Sequence, residues 1–131
     1  MNKILFVSIL FLLSHTAMAQ TVVDETLKSY SSNGKLTFDA KRGQALWVKE
    51  FPASDGKTRQ CTTCHGKDLG KNGKHTKSGK VIKPMAASVN KERYTEMKKI
   101  NKWFKRNCKW TLGRECTNQE KGDILKYLSQ Q

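Results

Sequence analysis

Two thiols and an imidazole lie within one short segment of the chain. Residues 61–65 read Cys-Thr-Thr-Cys-His, so Cys61 and Cys64 have the C-x-x-C spacing and His65 follows directly. Three uses of such a spacing have to be distinguished: a redox-active disulfide, a zinc site and the covalent attachment of haem.

The first two uses leave part of the motif unexplained. A four-cysteine zinc site would need Cys108 and Cys116, but seven residues separate these two, whereas paired zinc ligands are separated by about two to four. A redox disulfide gives His65 no part and expects a βαβ pattern, which this sequence lacks.

Covalent haem attachment uses every group. The two thiols bond to the two vinyl groups of the haem, and the histidine that follows offers its neutral ring nitrogen to the iron. The motif therefore predicts one haem c, attached through Cys61 and Cys64, with His65 as the proximal ligand.

The N-terminus predicts export. Lys3 precedes the apolar run of residues 4–13, and residues 17–19 read Ala-Met-Ala, a small-x-small cleavage site. The run has ten residues, too few for the roughly 20 that span a bilayer. We predict a signal peptide over residues 1–19, one haem domain over residues 20–131 with no membrane span, and a periplasmic location.

The chain is strongly basic, with 25 Lys and Arg against 11 Asp and Glu and a net charge of +14. Loss of residues 1–19 removes only Lys3 from this balance and leaves +13. An exported protein rarely meets nucleic acid, and the lysines are spread along the chain. We therefore expect no nucleic-acid partner, and expect solvated surface charge that steers an acidic partner toward the protein.

Hydrophobic periodicity predicts an all-α domain. Helices are expected over residues 24–31, from Asp39 with Gly43 inside, from Asn90 to about Arg106, and from Thr117 to the end of the chain. The last of these opens with a Thr117…Glu120 capping box. Residues 66–83 are rich in glycine and lysine and are expected to form an exposed loop. No stretch predicts a strand.

A glycine-bearing helix before the haem motif and an aromatic-bearing terminal helix resemble the class I cytochrome c fold. In that fold the two helices cross at the glycine and are packed by the aromatic side chain. The resemblance assigns this contact to Gly43 and Tyr127.

The sixth ligand has several candidates. His75 lies in the glycine- and lysine-rich loop, where a surface role is expected. Met85 follows Pro84, as in many electron-transfer cytochromes, but lies only 20 residues after His65. Its expected role is packing. By separation the distal position falls within residues 105–110, where Asn107 is the neutral donor unless a neighbouring lysine is deprotonated.

The sequence also resembles a particular family, the sphaeroides haem protein type of cytochrome c. The segments that carry the resemblance read Cys-Thr-Thr-Cys-His-Gly (61–66), Arg-Asn-Cys (106–108), Gly-Arg-Glu-Cys-Thr (113–117) and Glu-Lys-Gly-Asp-Ile-Leu (120–125). The resemblance implies His65 and Asn107 as iron ligands in the oxidised state, a Cys108–Cys116 disulfide, and a dihaem cytochrome c as electron donor. Met85 stands where the family can carry leucine, so a methionine ligand stays an alternative.

The two ligand sets predict different functions. An amide oxygen is a hard, weak donor that ferric iron tolerates and ferrous iron holds poorly. Reduction would release Asn107, and the ferrous haem would then bind O2, NO or CO, or turn over oxygen or nitric oxide. A Met85 ligand would keep the site closed and leave a simple electron shuttle. Both readings describe an electron-transfer or ligand-binding protein more than a dedicated enzyme.

Overall fold

The computed structural model describes the backbone of residues 5–131 and the side chains of residues 18–131. Lys3 and the side chains of the apolar run, on which the signal-peptide prediction depends, lie outside the described residues. Within the described part the helices are α1 (Leu5–Tyr30), α2 (Ala40–Val48), α3 (Thr62–His65), α4 (Met97–Leu112) and α5 (Asn118–Ser129). The strands are β1 (Phe51–Pro52), β2 (Thr58–Arg59), β3 (Gly73–Lys74) and β4 (Val81–Ile82).

The first helix is longer than predicted. The expected helix over residues 24–31 is only the C-terminal part of α1, which begins at Leu5 and continues through the predicted cleavage position. This C-terminal part buries Val23 and Tyr30, which pack with Ile100 of α4 and Leu125 of α5. None of the helices in the described part is long and apolar enough to cross a membrane.

Helices α2 and α5 begin where the capping residues predicted. The Asp39 side chain accepts a hydrogen bond from the Arg42 backbone N–H at 2.8 Å. Thr117 and Glu120 form a capping box, each side chain accepting from the other's backbone N–H. These three hydrogen bonds satisfy backbone N–H groups at the helix starts that would otherwise lack a partner.

Helices α2 and α5 cross with their backbones in close contact at Gly43. A Cβ placed on Gly43 would lie 2.0 Å from the Asp123 carbonyl oxygen and 2.9 Å from the Tyr127 Cβ. The predicted Gly43–Tyr127 contact is therefore confirmed, and only glycine allows the two backbones to approach this closely.

A buried carboxylate fixes the same crossing. Asp123 is 2% exposed, and it accepts from Arg42 Nε at 2.9 Å and from the Asp39 backbone N–H at 2.7 Å. Gln119 Nε2 donates a further bond at 3.1 Å. A buried charge is tolerated when it is paired and hydrogen-bonded in this way.

The bounds predicted for the third main helix were wrong at both ends. Asn90 does not cap it, because α4 begins at Met97 after Glu96. Tyr94 has a left-handed backbone with φ +60, which no α-helix accommodates. At the other end α4 continues past Arg106 to Leu112. The helix therefore contains Asn107.

The expectation of no strands was also wrong, although the strands are only two residues long. Antiparallel β1 and β2 pair Phe51 with Arg59, and β3 and β4 pair Gly73 with Ile82. Segments this short show no alternation in sequence.

Residues 66–83 are mostly exposed as predicted, but Leu69 within them is 6% exposed and joins the core. Helices dominate the fold, so the predicted all-α class is confirmed.

Replacement of Gly43 by alanine tests the helix crossing. Alanine favours an exposed helix by about 1 kcal/mol over glycine, yet here its Cβ would overlap the Asp123 backbone. We expect Gly43→Ala to lower the free energy of unfolding by about 1–3 kcal/mol or more, measured by denaturant titration of the holoprotein.

Gly70→Ala is the matched control, because a Cβ there lies 3.3 Å or more from its neighbours. Its stability should stay close to that of the wild type. A Gly43→Ala protein that unfolds at the wild-type denaturant concentration would contradict the crossing.

Candidate haem-attachment site

The three groups of the C-x-x-C-H motif share one face of a single helical turn. Helix α3 follows Cys61, whose carbonyl accepts hydrogen bonds from the backbone N–H groups of Cys64 at 3.4 Å and His65 at 3.2 Å. Residues at positions i, i+3 and i+4 of a helical turn lie on the same side. The local fold therefore directs two thiols and one imidazole to the same space.

The environment of Cys61 does not favour a reactive thiolate. Cys61 and Cys64 are free cysteines, and burial raises the pKa of the Cys61 thiol to about 11. Redox-active C-x-x-C sites need a lowered thiol pKa. A redox disulfide is thus disfavoured by the environment of Cys61.

A zinc site is disfavoured by the other two cysteines. The structure joins Cys108 and Cys116 in a disulfide with their Cα atoms 5.5 Å apart, so neither supplies a thiolate. No cluster of three or more His, Cys, Asp or Glu side chains suited to a metal ion occurs among the described residues.

The imidazole of His65 is in the neutral form that a metal ligand requires. Burial, and then the positive charge of Arg93, lower its pKa to about 4. Its Nδ1 atom is buried and has no hydrogen-bond partner. Buried polar atoms are normally paired, so this nitrogen marks a site that a further group completes.

Trp47 shares this environment. Its ring centroid lies 5.2 Å from that of His65, the residue is 5% exposed, and its Nε1 is also buried without a partner. Strand β3 also packs against the motif. A Cβ placed on Gly73 would lie 2.2 Å from the Cys64 carbonyl oxygen. Two unpaired buried nitrogens beside two free thiols fit a covalently held haem.

The predicted distal residue lies on α4. Asn107 is exposed, and no hydrogen bond or ion pair joins its side chain to any residue that the structure describes. The next residue, Cys108, is buried and carries the disulfide. The amide is thus free to bind a ligand while its backbone is fixed.

Sequence reasoning missed the contact that joins α4 to the haem motif. Arg59, two residues before Cys61, donates from Nη1 to the Trp110 carbonyl at 3.0 Å, and its guanidinium carbon lies 4.7 Å from the centre of the Trp110 ring. No local pattern predicts a pairing between residues so distant in sequence. The contact holds the C-terminal end of α4 against the segment that leads into the motif.

Met85 lies in a different setting. It packs against the cluster that contains Trp47, Leu69 and Ile124, and Cys61 packs there too. Its backbone N–H donates to the Leu69 carbonyl at 2.9 Å, and its carbonyl accepts from the Tyr94 hydroxyl at 2.8 Å. Both backbone groups of Met85 are therefore anchored.

His75 lies on the surface, as predicted. The residue is exposed, and its Nδ1 accepts a hydrogen bond from the Ser78 backbone N–H at 3.2 Å. The Nδ1 atom of His75 is therefore engaged in a hydrogen bond within a local turn.

Comparisons with known proteins agree with this geometry. A family model described as a domain of unknown function (DUF1924) matches residues 33–128. The cytochrome c-type protein SHP of Cereibacter sphaeroides is 37% identical over 107 residues, which make up 82% of this chain and 82% of that protein.

Two solved structures are similar as well. Oxidized SHP, described as an oxygen-binding cytochrome c, matches with a TM-score of 0.76 at 37% identity and covers 83% of this chain and 96% of its own. A solution structure of cytochrome c'' from Methylophilus methylotrophus, described as giving insight into haem-ligand detachment, has a TM-score of 0.69 at 28% identity, covering 86% and 93%.

Together with the helical fold and the motif at residues 61–65, these matches define a monohaem c-type cytochrome of the class I fold, which carries one covalent haem c. The chain belongs to the SHP family of these cytochromes.

The attachment residues are tested by removing the thiols. In a Cys61→Ala/Cys64→Ala protein we expect acidified acetone to extract the haem, because no thioether remains, whereas the wild-type haem stays with the polypeptide. The pigment is measured by absorbance in the two phases. Cys108→Ser/Cys116→Ser removes the same number of sulfurs elsewhere and should retain the haem; covalent haem in the first variant would refute the assignment.

Proposed function

We propose that this chain is a periplasmic electron-transfer and ligand-binding cytochrome whose distal ligand, Asn107, leaves when the protein is reduced. In this proposal residues 1–19 are a signal peptide and residues 20–131 are the haem domain. The observation that carries it is the position of Asn107. Its amide has no hydrogen-bond partner among the described residues, and it lies on the helix whose C-terminal end Arg59 and Trp110 hold against the segment that leads into the haem motif.

Bound haem would supply a one-electron redox centre. His65 would offer it a neutral, largely desolvated nitrogen, and the Trp47 ring lies against the His65 ring. Asn107 would offer an amide oxygen, a donor that suits ferric iron better than ferrous iron. After release, the same side chain offers its NH2 group as a hydrogen-bond donor to a bound diatomic molecule.

The relatives support an open distal site. SHP is described as an oxygen-binding cytochrome c, and cytochrome c'' is described in terms of haem-ligand detachment. By the same chemistry, we propose O2, NO and CO as ligands of the reduced protein.

The alternative is an electron shuttle with Met85 as sixth ligand. Met85 belongs to the same cluster as Trp47, the residue that contacts the His65 ring. Both of its backbone groups are engaged. This setting favours a packing role on the His65 side, so we give preference to Asn107.

Substitution of the two candidates separates these functions. In ferric Asn107→Ala we expect loss of the low-spin six-coordinate visible spectrum, because the amide donor is gone. In ferric Met85→Leu, which keeps the volume and removes the sulfur, we expect the wild-type spectrum.

The reduced proteins give the second readout. Wild type, Asn107→Ala and Met85→Leu should all take up CO after reduction, as followed by the shift of the Soret band. A reduced wild type that stays six-coordinate and takes up CO only after loss of Met85 would establish the shuttle instead.

We further propose that an acidic dihaem cytochrome c delivers the electron, and that α4 contributes to its docking. The helix has six basic residues and no acidic one. Four lysines share its outward side, at spacings of four, three and four residues: Lys98, Lys102, Lys105 and Lys109. Lys109 alone of these forms an ion pair in the described part, with Glu115 at 3.3 Å. The four lysines repel one another because they lie on the same side of the helix. An acidic partner bound there would offset this repulsion.

Charge reversal tests this docking side. We expect Lys102→Glu/Lys105→Glu to slow reduction by a dihaem donor about tenfold at low salt, and the difference from wild type to shrink as salt increases. Lys77→Glu/Lys80→Glu makes the same charge change in the exposed 66–83 segment and should slow reduction less. Equal slowing by both pairs, measured by stopped-flow absorbance, would argue for general charge attraction instead of docking on α4.

A further inference from the structure

One tryptophan is unusually exposed for its size. Trp103 is 50% exposed and is the sole aromatic residue among the large exposed hydrophobic side chains of the described part. An indole leaves a large apolar area in water at this exposure. Single exposed apolar side chains are common on protein surfaces, so the role of Trp103 has to be argued from its position on the helix.

The helical position of Trp103 shows which side of α4 carries this area. Trp103, Asn107 and Trp110 stand at positions i, i+4 and i+7, so they form one line along the helix. Successive residues turn by about 100°, which places this line beside the buried stripe of Ile100, Cys108 and Thr111. The line therefore lies between the buried stripe and the outward lysines.

The C-terminal end of this line contacts the segment that leads into the haem motif. Trp110 receives the Arg59 guanidinium against its ring and at its carbonyl, and Arg59 is followed after one residue by Cys61. Asn107 lies between Trp110 and Trp103 on the same line. Trp103 thus lies one helical turn before Asn107, the proposed distal ligand, on the same side of α4.

Two cations flank the indole. The Arg106 guanidinium carbon lies 5.5 Å and the Lys102 Nζ 6.0 Å from the centre of the Trp103 ring. Cation–π contacts at these distances are worth about 0.5–1 kcal/mol at exposed sites. They favour one position of the ring without burying it.

We propose that Trp103 is a wall of the distal ligand site, beside Asn107, and that it determines how long a diatomic ligand stays and how large a ligand enters. This inference rests on the proposed function, since it assumes that Asn107 vacates the site on reduction. The indole then gives the vacated space an apolar side that excludes water. Trp103 is a specificity-determining residue, while Asn107 keeps the role of ligand.

The test uses the reduced holoprotein with CO as probe. We expect Trp103→Ala to raise the CO dissociation rate about tenfold, because ligand retention is expressed mainly in the off-rate, and to admit methyl isocyanide more readily than wild type. Trp103→Phe keeps an aromatic wall and should remain within about threefold of wild type. Lys35→Ala changes an exposed lysine outside α4 and should leave both rates unchanged. Flash photolysis and ligand replacement by NO provide the measurements.

The possible failures are distinguishable. The first possible failure is that wild type and Asn107→Ala bind CO, but Trp103→Ala and Trp103→Leu release it at the wild-type rate. In that case Trp103 lies outside the site and the inference is overturned. If reduced wild type takes up no CO, the proposed function fails and this inference fails with it. Trp103→Leu, which retains apolar bulk, should give an intermediate rate and replaces Trp103→Ala should that protein not accumulate with haem.

Discussion

The contact of the Gly43 α-carbon with the Asp123 carbonyl determines where the haem motif can lie. It brings the backbones of α2 and α5 together, and Asp123 holds the crossing from within through Arg42 and the Asp39 N–H. Trp47 follows Gly43 by one helical turn, and its ring meets the ring of His65. The position of the His65 imidazole therefore depends on a helix contact that lies one turn from Trp47.

The two sides of the proposed haem site are built differently. On the His65 side, the buried side chains of two helices and the close approach of Gly73 surround the ligand. On the Asn107 side, an exposed amide sits on one helix that is fixed through its neighbours. Burial positions His65, whereas the disulfide and cation–π contacts of neighbouring residues position the proposed ligand Asn107. This asymmetry is what a site with one permanent and one releasable ligand requires.

Local chemistry in the sequence predicted local structure well. The C-x-x-C-H spacing, the Asp39 cap and the Thr117 capping box each depend on residues within one turn of one another, and each is found where the sequence indicated. The start of α4 was mispredicted because the left-handed backbone of Tyr94 is fixed by its hydroxyl bond to the Met85 carbonyl, a tertiary contact.

Contacts between distant segments explain the rest of what sequence reasoning missed. The pairing of Arg59 with Trp110 and the meeting of Trp47 with His65 leave no periodic trace. From the sequence alone, Arg59 was recognisable only as a cation before the motif, and Trp47 only as an aromatic residue of the core. The sequence thus offered candidates for the ligating residues, but not the side chains that hold those candidates in place.

A weak ligand places a requirement on the scaffold around it. The bond of a carboxamide to iron is too weak to order a flexible segment, since fixing each residue's backbone costs about 1–2 kcal/mol. The segment has to be ordered beforehand. Here Asn107 is within α4, and the neighbouring disulfide closes residues 108–116, a loop for which chain entropy gives about 2–3 kcal/mol of stabilisation. Under the proposed function the amide can then dissociate and return through side-chain rotation alone, because the helix that carries it depends on packing and the disulfide, and not on the iron.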